Sequence, residues 1–140
     1  MKYLSYNLIS AGLLFLTFGC TSPIEKTQSM LQEVLDREKG QFAQPLDDKS
    51  FLLIIPRTGC STCIGMADQL FKNEHYIPNK VQFVFTRVTS LKTLKIRLGT
   101  NEVTADNSHI DTDQKFSGPQ LDSIYPIIAY LDQGKVMRVE

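Results

Sequence analysis

Residues 51–73, FLLIIPRTGCSTCIGMADQLFKN, restrict the fold more than any other stretch of the chain. Residues 51–55 are a continuous apolar run of strand length, and Pro56 ends it because proline lacks the N–H that a ladder needs. Thr58 and Gly59 supply a bend. From Cys63 the apolar residues fall at Met66, Ala67, Leu70 and Phe71, which is the i, i+3, i+4, i+7, i+8 spacing of one helical face. A buried strand thus delivers Cys60 and Cys63 to a helix that starts at the first cysteine. At that N-terminus the unpaired N–H groups and the macrodipole favour a thiolate, and Arg57, three residues earlier, adds positive charge. Cys63 is expected one turn further in, on the buried face. The spacing lets the two sulfurs meet in a disulfide, with the outer one open to attack and the inner one placed to resolve a mixed disulfide.

This strand, turn and helix with its C-x-x-C resembles the active site of thioredoxin-like thiol-disulfide oxidoreductases. The resemblance continues at Tyr125-Pro126-Ile127-Ile128-Ala129-Tyr130-Leu131-Asp132-Gln133-Gly134-Lys135-Val136, which looks like the family's cis-proline, the strand after it and the turn into the next strand. It covers roughly residues 50–140. The family implies an α/β fold, a three-layer thioredoxin-like sandwich, with Pro126 facing the cysteine pair. It also implies that Pro126 and Tyr125 shape a groove for a partner's extended chain, that Cys60 attacks and that Cys63 resolves. The implied partners are cysteine-containing exported proteins and a separate redox donor or acceptor, with no cofactor and no metal.

Several positions depart from the family pattern. Ile54 stands where many thioredoxins have a buried acid, Gly59 where a tryptophan is usual, and Ser61-Thr62 lacks the proline common between the cysteines. The sequence ends at Glu140 just after the last expected strand, without the terminal helix that covers one sheet face, so either the N-terminal helix covers that face or the domain is minimal. These departures keep open a second reading, a non-catalytic thioredoxin-fold lipoprotein whose structural disulfide serves a binding or assembly component. Zinc is a third. His75 follows Cys63 at nearly finger spacing, but His109 is too distant from His75 to complete a finger, and there is no second C-x-x-C.

The first nineteen residues read as a signal peptide: Lys2 is the basic region, residues 8–18 the apolar core, and Gly19 a small residue before Cys20. A small residue followed by cysteine resembles a bacterial lipoprotein cleavage site, which implies lipidation of Cys20 and a place in the cell envelope, anchored to a membrane. Thr17 and Phe18 fit that pattern imperfectly, and an ordinary secretory signal is the alternative. If Cys20 takes lipid, Cys60 and Cys63 are left to pair with each other. The full chain is 42% hydrophobic with zero formal net charge, falling to about −1 once Lys2 is lost with the signal segment, which suits one globular domain at 41–140 and gives no footprint for nucleic acid.

Within residues 20–40, Ser22-Pro23-Ile24-Glu25 matches a capping box with proline at the first helical position, and Thr27 is a rival cap. Met30, Leu31, Val34 and Leu35 form an apolar stripe, Glu33 and Arg37 pair outside, and Gly40 suits the end. The mixed charge of the polar face points to packing on the domain rather than on a membrane surface. A polar connection follows, with a short strand near Phe42. Residues 81–88 read as a central strand with Val81, Phe83 and Phe85 on one face and Val84 on the other. Ser90 caps a helix in which Leu91, Leu94 and Leu98 line one side and Gly99 ends it, and the strand, helix, strand, helix order implies a parallel crossover. Residues 80–97 carry only basic charges and residues 102–122 mostly acidic ones, read as two solvated faces that partly neutralise each other. Residues 101–123 read as a long surface loop with a brief strand around 108–112. Strands at 127–131 and 135–139 form a hairpin, with Gly134 at the positive φ of its turn.

Overall fold

The computed structural model describes residues 22–73, 80–100, 103 and 106–140. The signal segment, Cys20 and His75 lie outside the described residues. The elements are α1 (Pro23–Glu38), β1 (Phe51–Pro56), α2 (Ser61–Lys72), β2 (Val81–Thr86), α3 (Leu91–Leu98), β3 (Ser108–Asp111), β4 (Ile127–Asp132) and β5 (Lys135–Val139). The five strands make one sheet in the order β3-β2-β1-β4-β5. β1, β2 and β3 run parallel, and β4 and β5 run antiparallel to their neighbours. α2 and α3 are the two crossovers, so both fall on one face of the sheet.

β1 is buried on both faces because its apolar run does not alternate with polar residues. Leu53 and Ile55 pack with Phe83 and Phe85 of β2, Ile64 and Ala67 of α2, and Leu94 and Leu98 of α3. Leu52 and Ile54 face the other way, onto Leu31, Val34 and Leu35 of α1. The expected stripe of α1 therefore covers the second face. Its capping box forms as read: Ser22 Oγ accepts from the Glu25 N–H at 3.2 Å, and Glu25 Oε2 accepts from the Ser22 N–H at 2.8 Å. The exposed Glu33–Arg37 pair is present at 3.7 Å. α1 runs antiparallel to β5. Gln28 Nε2 donates to the carbonyls of Val136 (2.9 Å) and Met137 (3.2 Å), and Gln32 Oε1 accepts from the Val136 N–H at 2.7 Å. Those bonds occupy backbone groups that an edge strand would otherwise leave open to another chain.

Several expectations are corrected. α1 ends at Glu38 rather than Gly40, because Lys39 keeps right-handed backbone and the chain tightens into a 3₁₀ turn, Lys39–Gln41. Phe42 is in no strand; it is buried, its ring packing on Phe116 and His109. β2 stops at Thr86, where Arg87 takes φ 58° and turns the chain out of the sheet. Met66 and Leu91 are exposed, since α2 turns Ile64, Ala67 and Asp68 inward instead and α3 buries Leu94 and Leu98. The 101–123 segment is no simple surface loop, for Val103, Phe116 and Leu121 are buried. Asp111 organises its middle, accepting from Thr86 Oγ1 (3.1 Å), the Lys115 N–H (2.8 Å) and the Phe116 N–H (2.9 Å). Arg87 pairs with Asp122, so the basic and acidic stretches do meet.

The hairpin turn is as read and goes further. Gln133 (φ 48°) and Gly134 (φ 75°) both take positive φ, as a two-residue turn matching strand twist requires. Gly99 closes α3 in the left-handed conformation at φ 65°.

Candidate functional site

β1 carries the chain to the carboxyl edge of the parallel strands, where Pro56 ends it and residues 57–59 turn outward. Gly59 has φ 149°, and a Cβ there would overlap the Ile124 carbonyl and stand 2.8 Å from the Ile124 Cα. No side chain fits, so glycine at position 59 is a steric requirement of the approach by Ile124. The Cys60 N–H then donates to the Ile124 carbonyl at 2.8 Å. Ile124 was not singled out by sequence reasoning, and no local signal marks it, because its role is played by its backbone.

Cys60 is the N-cap of α2, which begins at Ser61. Its Sγ accepts from the Cys63 N–H at 3.3 Å, the position a capping oxygen usually takes. The two cysteines form a disulfide, with a Cα–Cα distance of 5.3 Å inside the ordinary range. Both are half-buried. Cys63 is therefore less enclosed than expected: it sits in the first helical turn, while the inward face of α2 is carried by Ile64, Ala67 and Asp68. Ser61 and Thr62 between the cysteines are exposed.

The segment Ile124, Tyr125 and Pro126 leads into β4 beside this turn, with Ile124 and Tyr125 exposed and Pro126 half-buried. The cis-proline expectation is corrected. Every described peptide bond is trans, Tyr125–Pro126 included, which is the ground state of such a bond by about 0.5–1 kcal/mol. β4 pairs in register from Ile127, opposite Ile54, so the trans bond carries the chain straight into the ladder.

Asp68 and Arg97 form a second set of contacts behind the turn. Arg97 donates from Nη2 to Asp68 Oδ1 at 3.1 Å, and its Nε lies 3.0 Å from Oδ2, within ion-pair distance but off the hydrogen-bond line. Nη1 reaches back to the carbonyls of Pro56 (3.4 Å) and Arg57 (3.3 Å). One guanidinium thus ties α3 to α2 and to the turn that presents Cys60. Burial pushes the Asp68 carboxyl above its usual range, and the Arg97 charge and hydrogen bond offset this only in part. The available signal was a lone acid on the inward face of an otherwise apolar helix. Arg57 itself is exposed and lines a pocket of about 100 Å³ with Val88, Ser90, Thr93, Leu94 and Arg97; its guanidinium makes no hydrogen bond to either sulfur in the disulfide form.

His109 is a packing residue, its ring 5.1 Å from Phe42 and 5.9 Å from Phe116. Among the described residues no group of three His, Cys, Asp or Glu side chains is placed to hold a metal, and no helix is long and apolar enough to cross a membrane. No family model, curated protein or solved structure matches this chain.

Proposed function

We propose that the chain is an exported thiol-disulfide oxidoreductase of thioredoxin-like fold, held to a membrane of the bacterial cell envelope by lipid on Cys20. The observation that carries the reading is the seat of the disulfide. Cys60 caps a helix, its sulfur accepts an N–H of the first turn, and its own N–H is held by Ile124. That environment stabilises a thiolate on Cys60 when the bond opens, through the helix N-terminus and a hydrogen bond that strengthens with charge. The fold is supported by the parallel β1-α2-β2 unit and by the antiparallel β4-β5 hairpin that enters beside the cysteines through Tyr125 and Pro126.

From the oxidised form the exchange is written without any cofactor or metal. A partner thiolate attacks Cys60 Sγ, the Cys60–Cys63 bond breaks, and Cys63 leaves as a thiolate. A second partner thiol, deprotonated, then attacks the partner sulfur of the mixed disulfide, so Cys60 leaves as a thiolate and the partner carries the new disulfide. Two electrons pass to the cysteine pair, and the reverse sequence begins from the reduced pair. A separate dithiol or disulfide resets the pair. A cysteine-bearing exported protein reaches the pair beside half-buried Pro126 and the exposed residues Ile124 and Tyr125. Net charge gives nucleic acid no part in this.

Substituting Cys63→Ala tests the reading, because it leaves Cys60 without its resolving partner. The variant is expected to accumulate mixed disulfides with exported proteins, and Cys60→Ala far fewer. Equal, negligible trapping by both variants would favour the structural disulfide. For the anchor, Cys20→Ser is expected to abolish labelling by a radioactive fatty acid and release the protein from membranes; retention of both overturns that part.

A further inference from the structure

The amino end of α1 and the Cys60–Cys63 disulfide lie at one pole of the molecule. α1 has 16 residues and is about 24 Å long, and contacts fix its two ends. Near its start, Thr27 Oγ1 donates to the Gln120 carbonyl at 3.3 Å. At its far end Asp36 and Lys39 share a groove with Gln133 and Lys135, at the turn between β4 and β5. Gln120 is four residues from Ile124, at most about 14 Å of chain, and the Ile124 carbonyl holds the Cys60 N–H. Parallel β1 and β2 both end at this pole.

The length of chain before the helix matters as much as its direction. Cys20 precedes the cap Ser22 by two residues, a reach of about 7 Å. A lipid on Cys20 is therefore joined to the domain by almost no linker, at the end that carries the disulfide. The same pole presents apolar side chains to solvent: Ile24 is 61% exposed, Ile124 57% and Tyr125 55%. Tyrosine with aliphatic neighbours is the composition that settles at the level of lipid headgroups.

We infer, on the reading that Cys20 is lipidated, that the bilayer itself occupies this pole and holds the Cys60–Cys63 disulfide against the headgroup layer. The exchange partner is then a thiol or disulfide at the membrane surface, and proteins out in the aqueous space reach the pair poorly. The anchor restricts substrate access as well as location.

The chain has no tryptophan, so Tyr125→Trp and Lys135→Trp each introduce a single reporter, one at either pole, both at exposed positions. Each full chain is expressed with its own signal segment, extracted from membranes and reconstituted into phosphatidylcholine and phosphatidylglycerol vesicles with brominated acyl chains. Fluorescence of the Tyr125→Trp reporter is expected to be quenched at least about twofold more than that of the Lys135→Trp reporter, as for a ring at the headgroup and acyl boundary. Co-flotation with vesicles but equal quenching, or stronger quenching at Lys135→Trp, overturns the orientation and leaves the anchor standing. Failure of both proteins to float, with no lipid on Cys20 by mass spectrometry, overturns the anchor and the orientation together.

Discussion

The two faces of the sheet are assembled from different distances along the chain. Under α2 and α3, each helix follows the strand it packs on, and the cluster draws on residues 53–110 in sequence order. The opposite face gathers Leu31, Val34 and Leu35, then Phe42, Phe116 and Leu121, then Val136 and Val139. The cysteine turn lies where the two assemblies meet. From the first comes Arg97, holding the Pro56 and Arg57 carbonyls; from the second comes Ile124, holding the Cys60 N–H. The lesson is a division in how the two are held: the distant face is fixed by apolar packing, whereas the turn that carries the disulfide is gripped from both sides by hydrogen bonds.

Leu31→Ala should break the distant face most severely. Leu31 is fully buried, and such truncations cost about 2–5 kcal/mol, so the denaturation midpoint should fall while the disulfide of the folded fraction keeps its equilibrium with glutathione. A shifted equilibrium would show that the faces do not act separately. Gly59→Ala should do the reverse in kind. The added Cβ displaces Ile124 and strains the φ of residue 59, for an expected loss of about 1–3 kcal/mol together with a measurable change in the redox equilibrium. Asp68→Asn is expected to be milder. Breaking a fully buried ion pair costs about 3–5 kcal/mol, but the Arg97 side chain is 24% exposed, and a loss of roughly 1–2 kcal/mol, read by urea unfolding, fits that position.

The smallest effect is at Asp122. Arg87 and the Gly118 N–H hold its carboxyl below the ordinary range, so the unfolded state binds more protons and the pair's contribution is present above the usual carboxylate pKa. It is lost as pH falls through the depressed folded value. Unfolding curves across acidic pH should therefore be less steeply pH-dependent in Arg87→Gln than in the parent, and identical slopes would show that the ion pair adds nothing.

What the sequence made legible follows the same division. The β1-α2-β2-α3 run, both caps of α3, the capping box of α1 and the hairpin turn all rest on periodicity and local turn chemistry, and they stand in the structure. So does the meeting of Cys60 and Cys63, which needs only one helical turn. Boundaries slipped where a single backbone angle decided them, as at Arg87 and Lys39. The buried residues of the 101–123 segment were hidden by its polar composition, since Asp111 satisfies that backbone with contacts reached only in the folded chain. The trans bond before Pro126 and the grip of Ile124 on Cys60 were not readable either, because both depend on how β4 docks beside β1.

The most direct test of the central claim is the equilibrium of the Cys60–Cys63 disulfide with reduced and oxidised glutathione, followed by alkylation and mass. A pair seated at a helix cap, with both cysteines only half-buried, should titrate between the thiol and disulfide forms within the range that glutathione buffers reach, above about −300 mV. A disulfide that stays fully oxidised in every glutathione mixture, with a potential below about −300 mV, would contradict the account and leave Cys60 and Cys63 as a structural staple.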